Sequence, residues 1–244
     1  MASVAPAIVN PYRGSPAPPR PRETRPLTRS SIDRIRGLRG VGAGRRLLIV
    51  ASGPTVARVD FSGLDRGTSD VLIVNRPYQP LMDLAKWWAV NDMPVVMKHL
   101  DQIRAFKGTF ICGSSAFIPG RDSIKVPALA GRGFSMDLSQ GFYLGRSTTL
   151  SSLQVAGWMD YASIFVLGCD MSAEGNLYHD GSAPLGMTES TRKKRFDTEA
   201  EYWAYAAKSM PVELRQKTTF VGDLNPYPFV RLFNRATDLS KVVW

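Results

Sequence analysis

The residues with the most chemical promise stand at the ends of apolar runs. Leu47-Leu48-Ile49-Val50-Ala51 stops at Ser52-Gly53-Pro54-Thr55. Glycine lets a backbone approach a ligand closely. The Ser52 and Thr55 hydroxyls add donors, and a helix starting at Thr55 would turn amide N–H groups toward a phosphate. The same four residues also suit an ordinary tight turn. They match neither Gly-x-Gly-x-x-Gly nor a Walker loop, since no Gly-Lys-Ser/Thr follows. A second run, Val71 to Val74, ends in Asn75-Arg76, a polar pair placed to read a ribose or base; a capping asparagine is the plainer reading. Ile164 to Leu167 leads into Gly168-Cys169-Asp170, whose carboxylate either binds a ligand hydroxyl or orients a loop. Asn176, Tyr178, His179 and Asp180 follow in a short polar stretch.

Those positions matter because ligands of an open parallel sheet bind beyond the carboxyl ends of its strands. Runs that are apolar throughout, rather than alternating, suit parallel strands covered on two sides. Val95-Val96-Met97, Phe110-Ile111-Cys112 and Thr219-Phe220-Val221 extend the set of strands. Helical spacing falls between them. Leu81, Leu84, Ala85, Trp88 and Ala89 share one face. Leu150, Leu153, Gly157 and Tyr161 share another, with Thr148 or Thr149 as the cap. Phe196, Ala200, Trp203, Ala207 and Met210 mark a third. Asn225-Pro226 reads as a cap and first turn, with Phe229, Leu232 and Phe233 facing inward. The pattern predicts a doubly wound, mostly parallel, Rossmann-like α/β domain over residues 46–244. Residues 113–146 hold six glycines and read as long loops near the active edge.

Bulk composition narrows the classes. The chain has 244 residues, 44% of them hydrophobic, enough for a sizeable core. No apolar run reaches the roughly 18 residues of a membrane helix, and no secretory block opens the chain, so a cytoplasmic location is expected. Cys112 and Cys169 each end a strand-like run and read as buried thiols. Two histidines and two separated cysteines make a poor zinc set. The net charge of +10 is unevenly spread. Residues 1–46 hold ten arginines against Glu23 and Asp33, which leaves 21 basic and 19 acidic residues elsewhere. Seven prolines between Pro6 and Pro26 mark residues 1–40 as a disordered leader, with a short basic helix over Ser31 to Arg39. Such a leader is a solvated tail, a nucleic-acid contact or a polyproline ligand.

Taken together, Leu47 to Thr55, Asp60-Phe61 and Asp70 to Asn75 resemble the start of the bacterial sialyltransferases of glycosyltransferase family 42. Arg146 to Asp170 resembles their later donor-binding segment. The pattern is also similar to archaeal pterin diphosphokinases and to uncharacterised bacteriophage proteins, over about residues 46–236. The resemblance implies a nucleotide-sugar donor, of CMP-sugar type, used without a metal. It implies that Ser52, Gly53, Pro54 and Thr55 hold the donor's phosphate and sugar, with Asn75 and Arg76 at the nucleotide and Thr148 or Thr149 near the phosphate. It further implies a histidine base, carried over by role to His179, with Tyr178 stabilising the departing phosphate and Asp170 at the same edge. His179 as a plain loop histidine stays open beside this.

The expected function is a glycosyltransferase, phage-encoded and acting on DNA or another polymer. A metal-dependent pterin-type diphosphokinase using Asp70, Asp160 and Asp170 is the alternative, as is a non-catalytic binding or virion-associated module.

Overall fold

The computed structural model describes residues 28–114, 116, 118, 120–173, 178–182 and 187–237. The apolar runs pair side by side as expected. The strands are β1 (Arg46–Val50), β2 (Ser69–Val74), β3 (Ala85–Ala89), β4 (Thr109–Gly113), β5 (Ser123–Val126), the short β6 (Ala128–Leu129) and β7 (Phe142–Tyr143), then β8 (Ser163–Leu167), β9 (Thr218–Val221) and β10 (Asn234–Ala236). Eight of them form one sheet in the order β10-β9-β8-β1-β2-β3-β4-β5, and every neighbouring pair is parallel. β6 and β7 pair separately.

Helices cover both faces: α1 (Arg29–Arg36), α2 (Gln79–Met82), α3 (Met93–Lys98), α4 (Leu100–Ala105), α5 (Thr148–Trp158), α6 (Glu189–Ser209) and α7 (Val212–Gln216). Leu47 and Ile49 of β1 pack with Leu153 of α5 and Trp203 of α6. Leu48 and Val50 pack on the other side with Leu81, Val96 and Ile103 of α2, α3 and α4. Alternate side chains of one strand thus feed two separate cores, which is why its sequence is apolar without alternation. The fold is a doubly wound, Rossmann-like α/β sheet.

Three expected elements are different. Val95-Val96-Met97 is helix α3, not a strand; Asp92 and Pro94 open it, and proline is suited to a helix's first turn. The helical face drawn from Leu81 to Ala89 is a short α2 followed by β3. Trp87 and Trp88 both need burial, and only a strand sends neighbours to opposite faces. Trp87 donates to the Tyr161 hydroxyl at 2.9 Å, whereas Trp88 packs on Phe106 and Phe110. Asn225-Pro226 does not start an α-helix. The Asn225 side chain accepts from the Tyr227 N–H and donates to the Cys169 carbonyl, and a 3-10 turn (Pro228–Leu232) follows, with Leu232 exposed. Within 113–146, expected as loops, lie β5, β6 and β7.

The leader also ends earlier than expected. The proline-based leader runs to residue 40 with a short helix over Ser31 to Arg39, and α1 is that helix, yet Ile35 and Leu38 are buried in the core and the Trp158 indole donates to the Ile35 carbonyl at 2.9 Å. Apolar anchors outweigh the basic composition there. Residues 1–27 lie outside the described residues. Among the described residues no helix is long and apolar enough to cross a membrane.

Candidate functional site

The chain begins its sheet at β1, steps outward to β5, then returns to place β8 on the other side of β1. That reversal parts the connections leaving β1 and β8, and a crevice opens where they part. Here it is a cleft of about 360 Å³, bounded by the carboxyl ends of β1, β2, β3 and β8 and by the amino-terminal turn of α5 and one face of α6. Val95, Leu144 and Phe196 give it apolar walls.

The β1 turn forms one wall, but its polar groups are largely spent inside the protein. Thr55 donates to both oxygens of Asp170, through its N–H at 2.8 Å and its hydroxyl at 2.7 Å. The amide expected to face a phosphate is therefore occupied. A Cβ on Gly53 would stand 2.4 Å from Asp170 Oδ2 and 2.5 Å from the Gly168 carbonyl. The neighbouring β8 turn requires glycine at 53. Pro54 opens a 3-10 turn (Pro54–Arg58). The Ser52 hydroxyl donates to the Val74 carbonyl at 3.3 Å. Ser52, Gly53 and Asp170 line the cleft; Pro54 and Thr55 stand behind it. Burial raises the Asp170 pKa, and the two Thr55 bonds partly offset this. Of the two open readings for Asp170, its geometry matches loop orientation.

Asn75 ends β2 in the left-handed region, with φ of 61°, which asparagine tolerates better than most residues. Its backbone is satisfied by the Ala89 carbonyl and the Trp88 indole. Its side-chain Oδ1 is buried without a partner among the described residues. A buried acceptor left empty costs about 1–3 kcal/mol, so a ligand donor there would be well rewarded. Arg76 is committed elsewhere. It pairs with Asp180 at 2.9 Å, donates to Ser182 Oγ at 2.9 Å and lies 3.7 Å over the Tyr178 ring. It holds residues 178–182 over the cleft. Burial works against the Asp180 carboxylate, but bonds from Ser182, with Arg76 alongside, bring its pKa down to about 2.

Tyr178 lines the cleft; His179 does not. The His179 N–H donates to the Ser52 carbonyl at 2.9 Å, and its ring packs edge-on against Tyr78 at 5.1 Å. Its Nε2 is buried without a partner among the described residues, and burial lowers its pKa, so the imidazole is neutral at pH 7. Asn176 lies outside the described residues.

The opposite wall carries what the sequence reading missed. Ser147, not Thr148 or Thr149, caps α5 by accepting from the Leu150 N–H at 3.4 Å. The N–H groups of Thr148 and Thr149 then have no acceptor within the helix. Exposed Arg146 precedes them, in the left-handed region at φ 55°, and exposed Arg195 of α6 lines the same end. Glu199 lies one helical turn after Arg195 and is only 7% exposed, yet lines the cleft. Burial raises its pKa, against the nearby Ser147 and Trp203 donors and the charge of Arg195. A signal for Glu199 was present: it falls three residues after Phe196 and four before Trp203, a carboxylate on the apolar stripe. Asn91 also lines the cleft, but its amide is used by Ser151 and the Gly113 N–H.

The carboxylates named for a diphosphokinase do not converge. Asp70 sits at the amino end of β2 with Arg45, Lys86 and Tyr161. Asp160 pairs with Lys217 beyond α5. Among the described residues no three His, Cys, Asp or Glu side chains gather as metal ligands. Cys112 and Cys169 are free and buried.

No protein-family model, no curated protein and no solved structure matches this chain.

Proposed function

We propose that the protein is a nucleotide-sugar-dependent glycosyltransferase, with the donor lying across the switch-point cleft. One observation carries the reading: the same cleft is lined by a cationic helix terminus and by a buried acceptor without a partner among the described residues. Phosphates belong at the α5 terminus, where the Thr148 and Thr149 amides, the helix dipole and the Arg146 and Arg195 guanidiniums all favour negative charge. Asn75 Oδ1 accepts from a base or a ribose hydroxyl. The apolar walls cover the sugar or base faces. In the reaction an acceptor hydroxyl attacks the anomeric carbon. The bond from that carbon to the phosphate oxygen breaks, and the nucleoside phosphate keeps the electron pair at the cationic end. Tyr178, which lines the cleft, is assigned as a donor to that phosphate. His179 is assigned to holding residues 178–182 on the β1 turn, through its N–H.

Residues 1–46 hold ten arginines, and those outside the fold's own ion pairs, such as Arg45 with Asp70, suit a polyanionic acceptor such as DNA, whose binding would weaken steeply with salt. A CMP-sugar is the first donor to try, because its exocyclic amine offers Asn75 Oδ1 a donor.

The test is a thermal-shift screen against CMP, UDP, GDP and ATP, followed by turnover of the matching nucleotide sugars. At least one nucleotide is expected to raise Tm. The double variant Arg146→Ala, Arg195→Ala is expected to weaken that nucleotide by about tenfold or more, the scale of lost hydrogen bonds to charged groups. If no nucleotide shifts Tm and no nucleotide sugar is consumed, the reading is wrong.

A further inference from the structure

We infer that Glu199 is the general base that deprotonates the acceptor hydroxyl, a catalytic role that rests on the transferase reading above. Four side chains near the cleft have the chemistry for that task. Asp170 lines the cleft, but each of its oxygens accepts from Thr55, at 2.7 and 2.8 Å, which commits the group to holding the β1 turn. Asp92 stands exposed at the end of β3. His179 turns its ring to Tyr78 and is not among the lining residues. Glu199 remains. It lines the cleft while 7% exposed, on a long helix whose packing into the core through Ala200 and Trp203 fixes its position. A carboxylate has about four acceptor sites. The Ser147 hydroxyl and the Trp203 indole are the donors that face it, and Arg195 supplies a compensating charge one turn away.

The same contacts join the base to the donor site. Ser147 caps the helix whose free amides are assigned to the phosphates, so donor and base are tied to one residue. In the step, the acceptor O–H proton passes to a Glu199 oxygen as the acceptor oxygen bonds to the anomeric carbon. The leaving nucleoside phosphate takes the electron pair of the broken C–O bond. Glu199 later returns its proton to water. Burial serves this step, because a carboxylate whose pKa is raised toward the working pH is the stronger base.

The experiment compares full-length wild type with Glu199→Gln, Glu199→Asp and His179→Gln. Nucleotide binding is followed with CMP, UDP and GDP, and transfer with the corresponding nucleotide sugars over a pH series. Glu199→Gln is expected to bind nucleotide within about threefold of wild type while kcat falls by roughly 10²–10⁴-fold, the contribution of a positioned base. The acid limb of the kcat profile disappears with it. Glu199→Asp, which keeps a carboxylate, is expected to recover part of kcat together with that limb. His179→Gln is expected to keep the limb. Retention of kcat within about tenfold in Glu199→Gln overturns the assignment, as does loss of the limb in His179→Gln alone. A parallel loss of nucleotide binding in a Glu199→Gln protein that melts no lower than wild type makes Glu199 a ligand contact and also overturns it. If wild type neither binds a nucleotide nor turns over a nucleotide sugar, the transferase reading itself has failed.

Discussion

A carboxylate shut away from water needs donors, and Asp170 takes both of its own from Thr55. Thr55→Val removes the hydroxyl and leaves Oδ1 unpaired. The expected loss is about 1–3 kcal/mol. That corresponds to a Tm drop of roughly 2–4 °C per kcal/mol for a chain of this size. The deficit should shrink in acid, because a protonated Asp170 no longer needs the donor. Gly53→Ala is expected to be as damaging, since its Cβ would meet the Gly168 backbone oxygen at 2.5 Å, where no side chain can yield. Burial raises the pKa of Glu199 as it does that of Asp170. The folded pKa of Glu199 lies above the ordinary 4.5, so its contribution is fully present below 4.5 and is lost as pH rises through the folded value. Glu199→Gln should therefore match wild type in acid and show the higher Tm at neutral pH, a difference that thermal melts across pH would reveal. A residue that weakens the fold at working pH is the kind that a functional site retains.

Among the elements, α5 binds the site together. Its cap supports the free amides and also touches Glu199. Ser147→Ala should cost about 1 kcal/mol as a lost cap, measurable as a lower denaturation midpoint. β3 is the element that local pattern mislabelled. Its residues Ala85, Trp88 and Ala89 satisfy helical spacing together with Leu81 and Leu84, but the choice between helix and strand belonged to the space beside β2. Trp88, fully buried against Phe106 and Phe110, is the residue that holds this arrangement. Trp88→Ala should cost about 3–5 kcal/mol, whereas an exposed helical tryptophan would cost little.

For the whole molecule, the folded unit begins before its first strand. A chain starting at Arg46 should melt several degrees below one starting at Thr28, because Ile35 and Leu38 each bury an apolar side chain worth about 1.5–3 kcal/mol. The two histidines set a second global property. His99 is held by Gln102 and faces Lys98, Arg76 and Asp180; His179 faces Asp180, Arg76, His99 and Tyr78. Burial lowers both pKa values below 6.5, so neutral imidazoles belong to the folded state. Their contribution is present above pH 6.5 and is lost as pH falls through the folded values. Tm should decline on acidification below that point, and the double variant His99→Gln, His179→Gln should flatten the decline. An unchanged slope would place the acid sensitivity elsewhere.

The sequence by itself determined the sheet and its two covers. The doubly apolar runs at Leu47 to Val50, Val71 to Val74 and Ile164 to Leu167 became β1, β2 and β8, since a strand buried on both faces has few other ways to satisfy its side chains. It also determined which strand ends would meet, and so brought Ser52, Gly53, Asn75, Thr148, Asp170 and Tyr178 to one cleft. Only the tertiary structure decided which of their atoms remain free. Thr55 and Asp170 consume each other across 115 positions, Arg76 is taken by Asp180, and the His179 ring turns to Tyr78. Arg146, Arg195 and Glu199 line the far wall. Residue type states what a side chain can donate or accept, but the partner that claims it is distant in sequence. The chemistry of the cleft is what those long-range hydrogen bonds leave over.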